Sequence, residues 1–580
     1  MNKTAGLVVA NLLVVGCSDV MTHPVYDDDG SSCEADQVYD GAIDQCVASC
    51  NPSGLQHALE LRSGGETRHF MLDVPASYDC ATPTALLIDF HGTWSGNESD
   101  NGEEFYALAG MLAESEAHGI IVARPRSRFS IEGDSNLYRW DESPGDLDKN
   151  VAFTRLLVEH LSALYNVDPD RVYAAGFSSG TNMAAQFFAD TPQLFHGYAF
   201  IGGGVFGGEA PARVDLDTTT RIYAVSGYRD YLHVNETELF TLLDAFAFPH
   251  DRIFERTDTN GHELYGWHYR ELLDWLDRGE RPAGGTLASG WTAEVTGADE
   301  DFTALTSDGA GSLLATGSRG GIYRRSQAGW SKLATVAGTP ALSGACVLPN
   351  GAGIAVGESK VAHTIDHGAT WKTDVTIPAF VDGFFPVPFM NAVGCSQTKL
   401  VSVGYWNAAT STNATTWTQA SALNQGFASQ GAQVKASAAG TWIASGYYDY
   451  IGRSTDGVTF TNVVAPVSVQ WLMGIASAPG GHWWIAGEAG TLLASTDDGA
   501  SWTDETIGID DDLYAVGFFD DQRGLAVGTH GTAYLTIDGG AHWMDRSTGL
   551  DAFLGDVVWL DANTVLVVGG GGTAVTLHVD

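Results

Sequence analysis

A serine framed by glycines stands at Gly176-Phe177-Ser178-Ser179-Gly180. The run before it, Arg171-Val172-Tyr173-Ala174-Ala175, reads as a buried strand, and Asn182 to Phe188 after it reads as a helix. Strand, tight turn and helix are the context in which G-x-S-x-G lifts a serine hydroxyl above the edge of a sheet. A serine alcohol is a weak nucleophile near neutral pH and needs a base, usually histidine, held in turn by a carboxylate. In such a sheet the chain order is serine, acid, histidine. Asp230, in Ser226-Gly227-Tyr228-Arg229-Asp230, and His262, in Thr259-Asn260-Gly261-His262, follow the strand-like runs 222–225 and 253–256 and fill that order. Asp244, Asp251 and Asp258 are rivals for the acid, and His233, His250 and His268 for the base. His268 falls in the last helical segment, where a structural role is expected. His233 is expected to be a solvated loop residue.

Acyl transfer also needs two N–H donors aimed at the developing oxyanion. The backbone N–H of Ser179 supplies one. The loop after the strand Ala85-Leu86-Leu87-Ile88-Asp89-Phe90, which runs His91-Gly92-Thr93-Trp94, supplies the other, and the Thr93 amide is the expected donor ahead of that of Trp94. His91 is expected to orient that loop. Trp94 and Trp140 lie on loops placed to overhang the serine, either as stacking platforms for substrate or as loop packing.

The elements that must position these residues alternate strand and helix from 51 to 280, the pattern of a layered α/β domain. Phe105, Leu108, Met111 and Leu112 are spaced as one helix face. Gly119 to Ala123 reads as a strand, and Phe153, Leu156, Leu157, Leu161 and Leu164 form a helical core stripe. Tyr265 to Leu276 reads as the closing helix.

Three segments carry a family resemblance: Asp168-Pro169-Asp170-Arg171-Val172-Tyr173-Ala174-Ala175-Gly176-Phe177-Ser178-Ser179-Gly180, Val74-Pro75-Ala76-Ser77-Tyr78-Asp79 and Phe90-His91-Gly92. They resemble the secreted esterases that include polyhydroxybutyrate depolymerases and feruloyl or acetylxylan esterases, over about residues 50–280. The resemblance implies an α/β-hydrolase fold and a serine carboxylic-ester hydrolase that uses neither metal nor organic cofactor. Two departures from the family pattern bear on substrate. Gly180 is followed by Thr181 where the family has a further glycine, and Tyr228-Arg229 replaces small residues before Asp230.

The net charge of −42, from 29 basic and 71 acidic residues, argues against nucleic acid and anionic lipid surfaces as partners. Residues 1–16 read as a lipoprotein signal: Lys3, a short apolar stretch, then Val14-Val15-Gly16-Cys17, which resembles a lipobox with Cys17 as the acylated residue. The expected location is extracytoplasmic, lipid-anchored at the bacterial envelope or secreted, with the lipid as the only membrane contact. Residues 17–50 form a cysteine-containing linker. With Cys17 set aside, Cys33, Cys46, Cys50, Cys80, Cys346 and Cys395 are an even set suited to an oxidising compartment. Cys33–Cys46 and Cys50–Cys80 are the expected local pairs. Their spacing fits a zinc site poorly, and Asp27-Asp28-Asp29-Gly30 reads as solvated linker and not as a calcium loop.

After a linker at 281–290, rich in Pro and Gly near its start, the chain repeats. Trp291, Trp330, Trp371, Trp417, Phe460, Trp502 and Trp543 recur at intervals of 39 to 46 residues. A period near 40 with several short strands per unit specifies a β-propeller over 291–580. The turns before Trp371, Trp502 and Trp543 resemble the Asp-box of sialidase-type repeats, with shortened versions before Trp417 and Phe460 and a worn one before Trp330. Trp291 has no such turn before it, and the final strand 573–579 has none after it. Pairing those two segments closes a ring of seven blades. Cys346 and Cys395 hold equivalent places in neighbouring blades, as a disulfide or as two buried thiols. Six arginines in this half, scattered along it, do not make a sialidase carboxylate site. The blades are more similar to seven-bladed assembly factors, which bind partners.

The expected whole is an α/β-hydrolase followed by a seven-bladed propeller. It would act on an ester-containing polymer or a small ester, with the propeller binding polysaccharide or protein, or gating the site. A serine peptidase organised like the prolyl oligopeptidases and a surface scaffold with an inactive hydrolase half are the competing readings.

Overall fold

Alternation along one strand organises the first half of the molecule. In the computed structural model, Ala85 and Leu87 of the strand Thr84–Phe90 enter one apolar cluster, while Leu86, Ile88 and Phe90 enter another on the opposite face. A strand buried on both faces must be covered by helices on both. The structure describes residues 37–40, 45–48, 54–95, 111–127, 129–130, 137–138, 140, 144–190, 193–204, 219–228, 230, 232–258, 262, 264, 266–281, 285–336, 341–357, 361–378, 390–404, 407–420, 431–447, 449–469 and 471–579. The signal and lipidation positions and Cys33 and Cys50 lie outside them, and for Cys46 only the backbone is described. Cys80 is disulfide-bonded, with its partner outside the described side chains.

The chain forms two compact units. The first comprises the described residues of Met1–Val225, Asn235–Arg256 and Leu264–Arg281, and the second those of Ser226–Val234, Thr257–Glu263 and Pro282–Asp580. A hairpin, β1 (Gln37–Asp40) and β2 (Gln45–Ala48), precedes the main sheet. Next come β3 (Gly54–Ser63), β4 (Glu66–Val74), β5 (Thr84–Phe90) and the short β6 (Trp94–Ser95). They are followed by β7 (Ile121–Pro125), β8 (Phe129–Ser130), β9 (Leu137–Tyr138) and β10 (Val167–Phe177). The last three are β11 (Gly197–Ile201), β12 (Arg221–Gly227) and β13 (Ile253–Asp258).

Eight of these strands make one sheet in the order β13-β12-β11-β10-β5-β7-β4-β3. Strands β7, β5, β10, β11 and β12 run parallel, and β3 and β4 add an antiparallel edge. Gly64-Gly65 turns the β3–β4 hairpin with φ 58° and 84°, and Ser63 pairs with Glu66 across it. Positive φ at both central residues is what a two-residue hairpin requires.

Among the described residues, helices α1 (Met111–His118), α2 (Pro144–Leu164), α3 (Ser179–Asp190), α4 (His233–Ala245) and α5 (Gly266–Leu273) flank the strands, and α5 continues into a π turn over Asp274–Arg278. Phe153, Leu157 and Leu161 of α2 and Phe187 and Phe188 of α3 cover one face of the sheet. Met111 of α1 and Leu272, Leu273 and Trp275 cover the other. Each such side chain stabilises by about 1.5–3 kcal/mol relative to exposure. A buried ion pair ties the second layer down. Arg124 Nε lies 2.8 Å from Asp89 Oδ2, and the Tyr269 hydroxyl donates to the same oxygen at 2.9 Å.

The repeats of the second unit fold into seven sheets of three or four strands. The first strands of these sheets, Phe302–Ser307, Leu342–Val347, Met390–Cys395, Gly431–Ala436, Leu472–Ser477, Leu513–Phe518 and Leu554–Asp561, contact one another in that order. The last contacts the first, so the ring is closed and the fold is a seven-bladed β-propeller. The N-terminal strand Trp291–Ala293 is the fourth strand of the last blade, with Trp291 opposite Leu577 of Thr573–His578. Closing the ring with both ends of the domain covers the sheet edge that an open seam would leave. Cys346 and Cys395, on the first strands of adjacent blades, form a disulfide with Cα atoms 5.9 Å apart.

The turns at the third-strand ends repeat one network. Asp497 Oδ1 accepts the Ser501 N–H at 2.8 Å, and the Ser495 hydroxyl accepts the Gly499 N–H at 3.0 Å. Asp366 with Thr364 and Asp538 with Thr536 do the same. Asp456 with Ser454 and Asn413 with Ser411 repeat it in the shortened turns. Short polar side chains here satisfy backbone N–H groups that no strand partner reaches.

Candidate active site

Strand β10 ends in a turn that only an unusual sequence tolerates. Ser178 has φ 54°, a left-handed conformation that costs a non-glycine residue about 1–3 kcal/mol. The backbone around it is crowded. A Cβ on Gly176 would overlap the Gly180 carbonyl, and one on Gly180 would overlap the Phe90 carbonyl. Glycine at both positions lets the start of α3 press against the end of β5. The Ser178 N–H donates to the Ile201 carbonyl at 3.0 Å, and the Thr181 N–H to the Ser178 carbonyl at 2.9 Å. Thr181 is fully buried, and its hydroxyl bonds the carbonyls of Gly176 and Ile201 at 2.9 and 3.0 Å. Thr181 thus clamps the turn to β11.

The loop after β5 packs against this turn. A Cβ placed on Gly92 would lie 3.2 Å from Ser178 Cβ. His91 sets the shape of the loop. Its Nε2 accepts the Ser127 N–H at 3.0 Å, so its proton is on Nδ1, 2.6 Å from the Gly92 carbonyl. Burial lowers the His91 pKa to about 4, against the opposing pull of the Gly92 carbonyl, and the Arg124 charge adds to the lowering. The imidazole is therefore neutral near pH 7 and serves as a fixed bridge. Thr93 is exposed. Ser179 opens α3, where first-turn N–H groups have no intrahelical acceptor.

Trp140 is 2% exposed, donates its indole N–H to the His91 carbonyl at 2.9 Å and meets the Phe90 ring edge-on at 5.1 Å. Of the two roles open to it in the sequence, this burial and these contacts fit loop packing. Trp94 lies on β6, paired with Tyr138, and its side chain is outside the described residues.

Asp230 and His262 meet in the second unit. His262 Nδ1 is 3.0 Å from both oxygens of Asp230, which is fully buried. Asp230 Oδ1 also accepts the Leu232 N–H at 2.7 Å, and the Asp230 N–H donates to the Gly227 carbonyl at 2.8 Å. A carboxylate held this way fixes the ring and keeps its proton on Nδ1, which leaves Nε2 as the basic nitrogen. The bulky Tyr228 has a structural explanation within the same unit. It is buried with Trp471, Met473, Tyr514 and Phe553, and its hydroxyl donates to Asp301.

The rivals sit elsewhere. His233 is not a solvated loop residue: it opens α4, is 8% exposed, and its Nδ1 lies 2.6 Å from the Ser226 hydroxyl. Its place at the start of α4 accounts for that burial. His250 and Asp244 form an exposed pair at 3.2 Å. His268 is buried in α5, Asp251 lies in an exposed 3-10 turn, and the Asp258 side chain is outside the described residues.

The structure thus joins Asp230 to His262 in one unit, and Ser178 to the His91–Gly92 loop in the other. Phe177, Ile201 and Val225 are level on the parallel neighbours β10, β11 and β12. Ser178 therefore leaves the sheet at the carboxyl edge of its parallel strands, the edge where open α/β sheets bind ligands.

No family model matches the chain. Over 151 residues, 25% of the chain, it is 31% identical to NocK of Nocardia uniformis subsp. tsuyamanensis, a protein that carries an esterase name. Over 136 residues, 23% of the chain, it is 30% identical to poly(3-hydroxyalkanoate) depolymerase C of Paucimonas lemoignei. The chain spans 41% and 30% of the lengths of these relatives. Among solved structures, YCF48 bound to a D1 peptide aligns over 51% of this chain and 99% of its own, at 14% identity and a TM-score of 0.42. A GH74 xyloglucanase from Xanthomonas campestris aligns over 50% of this chain and 54% of its own, at 18% identity and a TM-score of 0.40.

Proposed function

We propose that the protein is a serine carboxylic-ester hydrolase with an α/β-hydrolase domain over residues 51–280. Ser178 is the nucleophile, His262 the general base and then acid, and Asp230 the residue that orients His262. The observation that carries the reading is the buried Asp230 carboxylate on His262 Nδ1, which prepares Nε2 to take a proton. The strained, glycine-framed turn at Ser178 supports it, as do the esterase-named relatives.

In this reading the Ser178 hydroxyl attacks the ester carbonyl as its proton passes to His262. The N–H groups of Ser179 and Thr93 receive the oxyanion. Collapse expels the alcohol, which takes the proton from His262, and leaves an acyl-serine. Water then adds with the same proton relay, releasing the carboxylic acid and restoring Ser178.

The substrate class is a polyester or an ester-substituted polysaccharide, with Trp94 as a candidate contact and the propeller as the binding or gating module. The repeated turns of that module support reading them as Asp-boxes. The Cys346–Cys395 disulfide suits an oxidising, extracytoplasmic compartment, with Cys17 as the lipid anchor. No described helix is long and apolar enough to cross a membrane.

A fluorophosphonate probe on the full chain tests the chemistry. Wild type should be labelled and should cleave a p-nitrophenyl ester, and Ser178→Ala should do neither. Equal labelling of the two proteins would overturn the assignment.

A further inference from the structure

A cavity in the propeller is lined by aromatic and polar side chains. It lies where the closing blade meets the first blade and measures about 800 Å³, within the usual range of ligand pockets. Two indoles line it, Trp330 and Trp559, with Glu294, Arg325, Ser312 and Gln327. Both rings are held from behind. Trp330 donates its N–H to Glu294 at 2.6 Å and stacks one face on Phe302, with centroids 5.0 Å apart at 20°. Trp559 donates its N–H to the Gly517 carbonyl at 2.9 Å. With their N–H groups committed to the protein, both rings meet the cavity as apolar surface. Both are also only partly buried.

The charge of the cavity is cancelled internally. Its two ionised side chains pair with each other, Arg325 Nε and Nη2 reaching the two Glu294 oxygens at 2.8 and 2.6 Å. The pair spans the seam, because Glu294 follows the strand of the closing blade and Arg325 belongs to the first. Burial alone would raise the Glu294 pKa, but the bonds from Arg325 and Trp330 outweigh it and hold the carboxyl below its usual range. The fork stays ionised and paired at neutral pH, so the cavity offers no net charge to an ionic ligand. A chain with a net charge of −42 also repels polyanions.

Aromatic faces, hydroxyl and amide side chains and a neutralised ion pair suit a ligand with apolar C–H faces and a rim of hydroxyls. The C–H face of a pyranose meets the negative face of an indole favourably, and its hydroxyls can bond the fork, Ser312 and Gln327. We infer that this cavity binds a neutral polysaccharide chain, with Trp559 and Trp330 as stacking surfaces and the Glu294–Arg325 fork as the hydroxyl reader. The inference rests on reading the propeller as a binding module and is independent of the chemistry at Ser178. The site also anchors at the seam, the one place where the ring is built from both ends of its domain.

The test is titration of the full chain, followed by intrinsic fluorescence and calorimetry, with cellohexaose and xylohexaose as neutral probes. Tri-galacturonate and a 3-hydroxybutyrate trimer serve as the acidic and polyester comparisons. At least one neutral probe should bind, Trp559→Ala should weaken it at least tenfold, and Trp559→Phe, which keeps an aromatic face, should stay within about threefold of wild type. Unchanged thermal melting and unchanged fluorophosphonate labelling of each variant show that the chain is still folded. Overturning results are no binding of either neutral probe at millimolar concentration, equal binding by Trp559→Ala, or binding of only the acidic or polyester probe. Ester hydrolysis without glycan binding would sink the pocket and leave the hydrolase standing. Glycan binding by a chain that the probe never labels would do the reverse.

Discussion

The turn at Ser178 and the turn at Asp497 are both tight and both crowded, yet they are stabilised in opposite ways. Ser178 adopts its positive φ without a glycine, and the surrounding backbone forces it there through Gly176, Gly180 and the Thr181 clamp. At Asp497 the side chain itself satisfies the turn, and the same network recurs at Asp366, Asp456 and Asp538. A unique site has no copy to share its strain, so each residue in it matters separately. A repeated site spreads its contribution over the ring, as expected where stability is close to a sum over repeats. Chemistry should therefore collapse with single substitutions in the first case, and stability should erode gradually in the second.

The largest effect expected is on rate. Asp230→Asn keeps the shape of the contact with His262 but removes the charge that stabilises an imidazolium. It should lower kcat for a p-nitrophenyl ester by about 10⁴-fold while leaving the melting temperature within a few degrees. A loss under tenfold would mean that the Asp230–His262 pair is structural and that the base lies elsewhere. The fluorophosphonate comparison of wild type with Ser178→Ala then shows whether the nucleophile survives that result.

Next in size is the disulfide between blades. Cys346 and Cys395 are separated by 49 residues in sequence. Closing a loop of that size contributes about 4 kcal/mol by the chain-entropy account. The double variant Cys346→Ser, Cys395→Ser should lower the denaturant midpoint of the propeller and leave ester hydrolysis at low denaturant unchanged. If hydrolysis falls in the double variant at denaturant concentrations where the propeller is still folded, the contrast between a local chemical site and a distributed scaffold is wrong.

The same contrast explains what could be read from residues alone. The ring was legible because its information is repeated: aromatic positions every 39 to 46 residues and polar turns before them survive noise in any one blade. The closure of Trp291 against the final strand followed from the ends of that pattern. Ser178, Asp230 and His262 stood out by order and by the strands before them.

What stayed hidden depends on contacts distant in sequence. Helix α4 was masked because His233, Asn235 and Glu236 make its first turn polar although all three are buried. Trp140 looks like a platform in sequence and packs on Phe90 and His91 in the fold. Trp559 lies off the aromatic period, on the first strand of the closing blade, so no repeat argument could single it out.

The smallest effect sharpens the comparison most, because its sign is fixed by pH. The Asp497 carboxyl is held down to about 2 from the ordinary 3.8, first by the Ser501 hydroxyl, then by the Ser501 amide and the Ser495 hydroxyl. A carboxyl with a lowered folded-state pKa contributes stability that is fully present above the unfolded value, near pH 4, and is lost as pH falls through about 2. Asp497 is exposed, so solvent screens the contribution, and Asp497→Asn should cost about 1 kcal/mol or less at pH 7. The gap between wild type and variant in the propeller's urea midpoint should stay constant from pH 7 to pH 4 and close between pH 4 and pH 2. Asp456, held to about 2 by the Thr459 and Val458 amides, should show the same window when replaced by Asn. Replacing both should add nearly linearly, since the turns lie in different blades and share no partner. A gap that persists at pH 2 would show that the turns depend on side-chain shape and not on the carboxylate charge. A double variant that loses far more than the sum would show that the blades are coupled as tightly as the residues around Ser178.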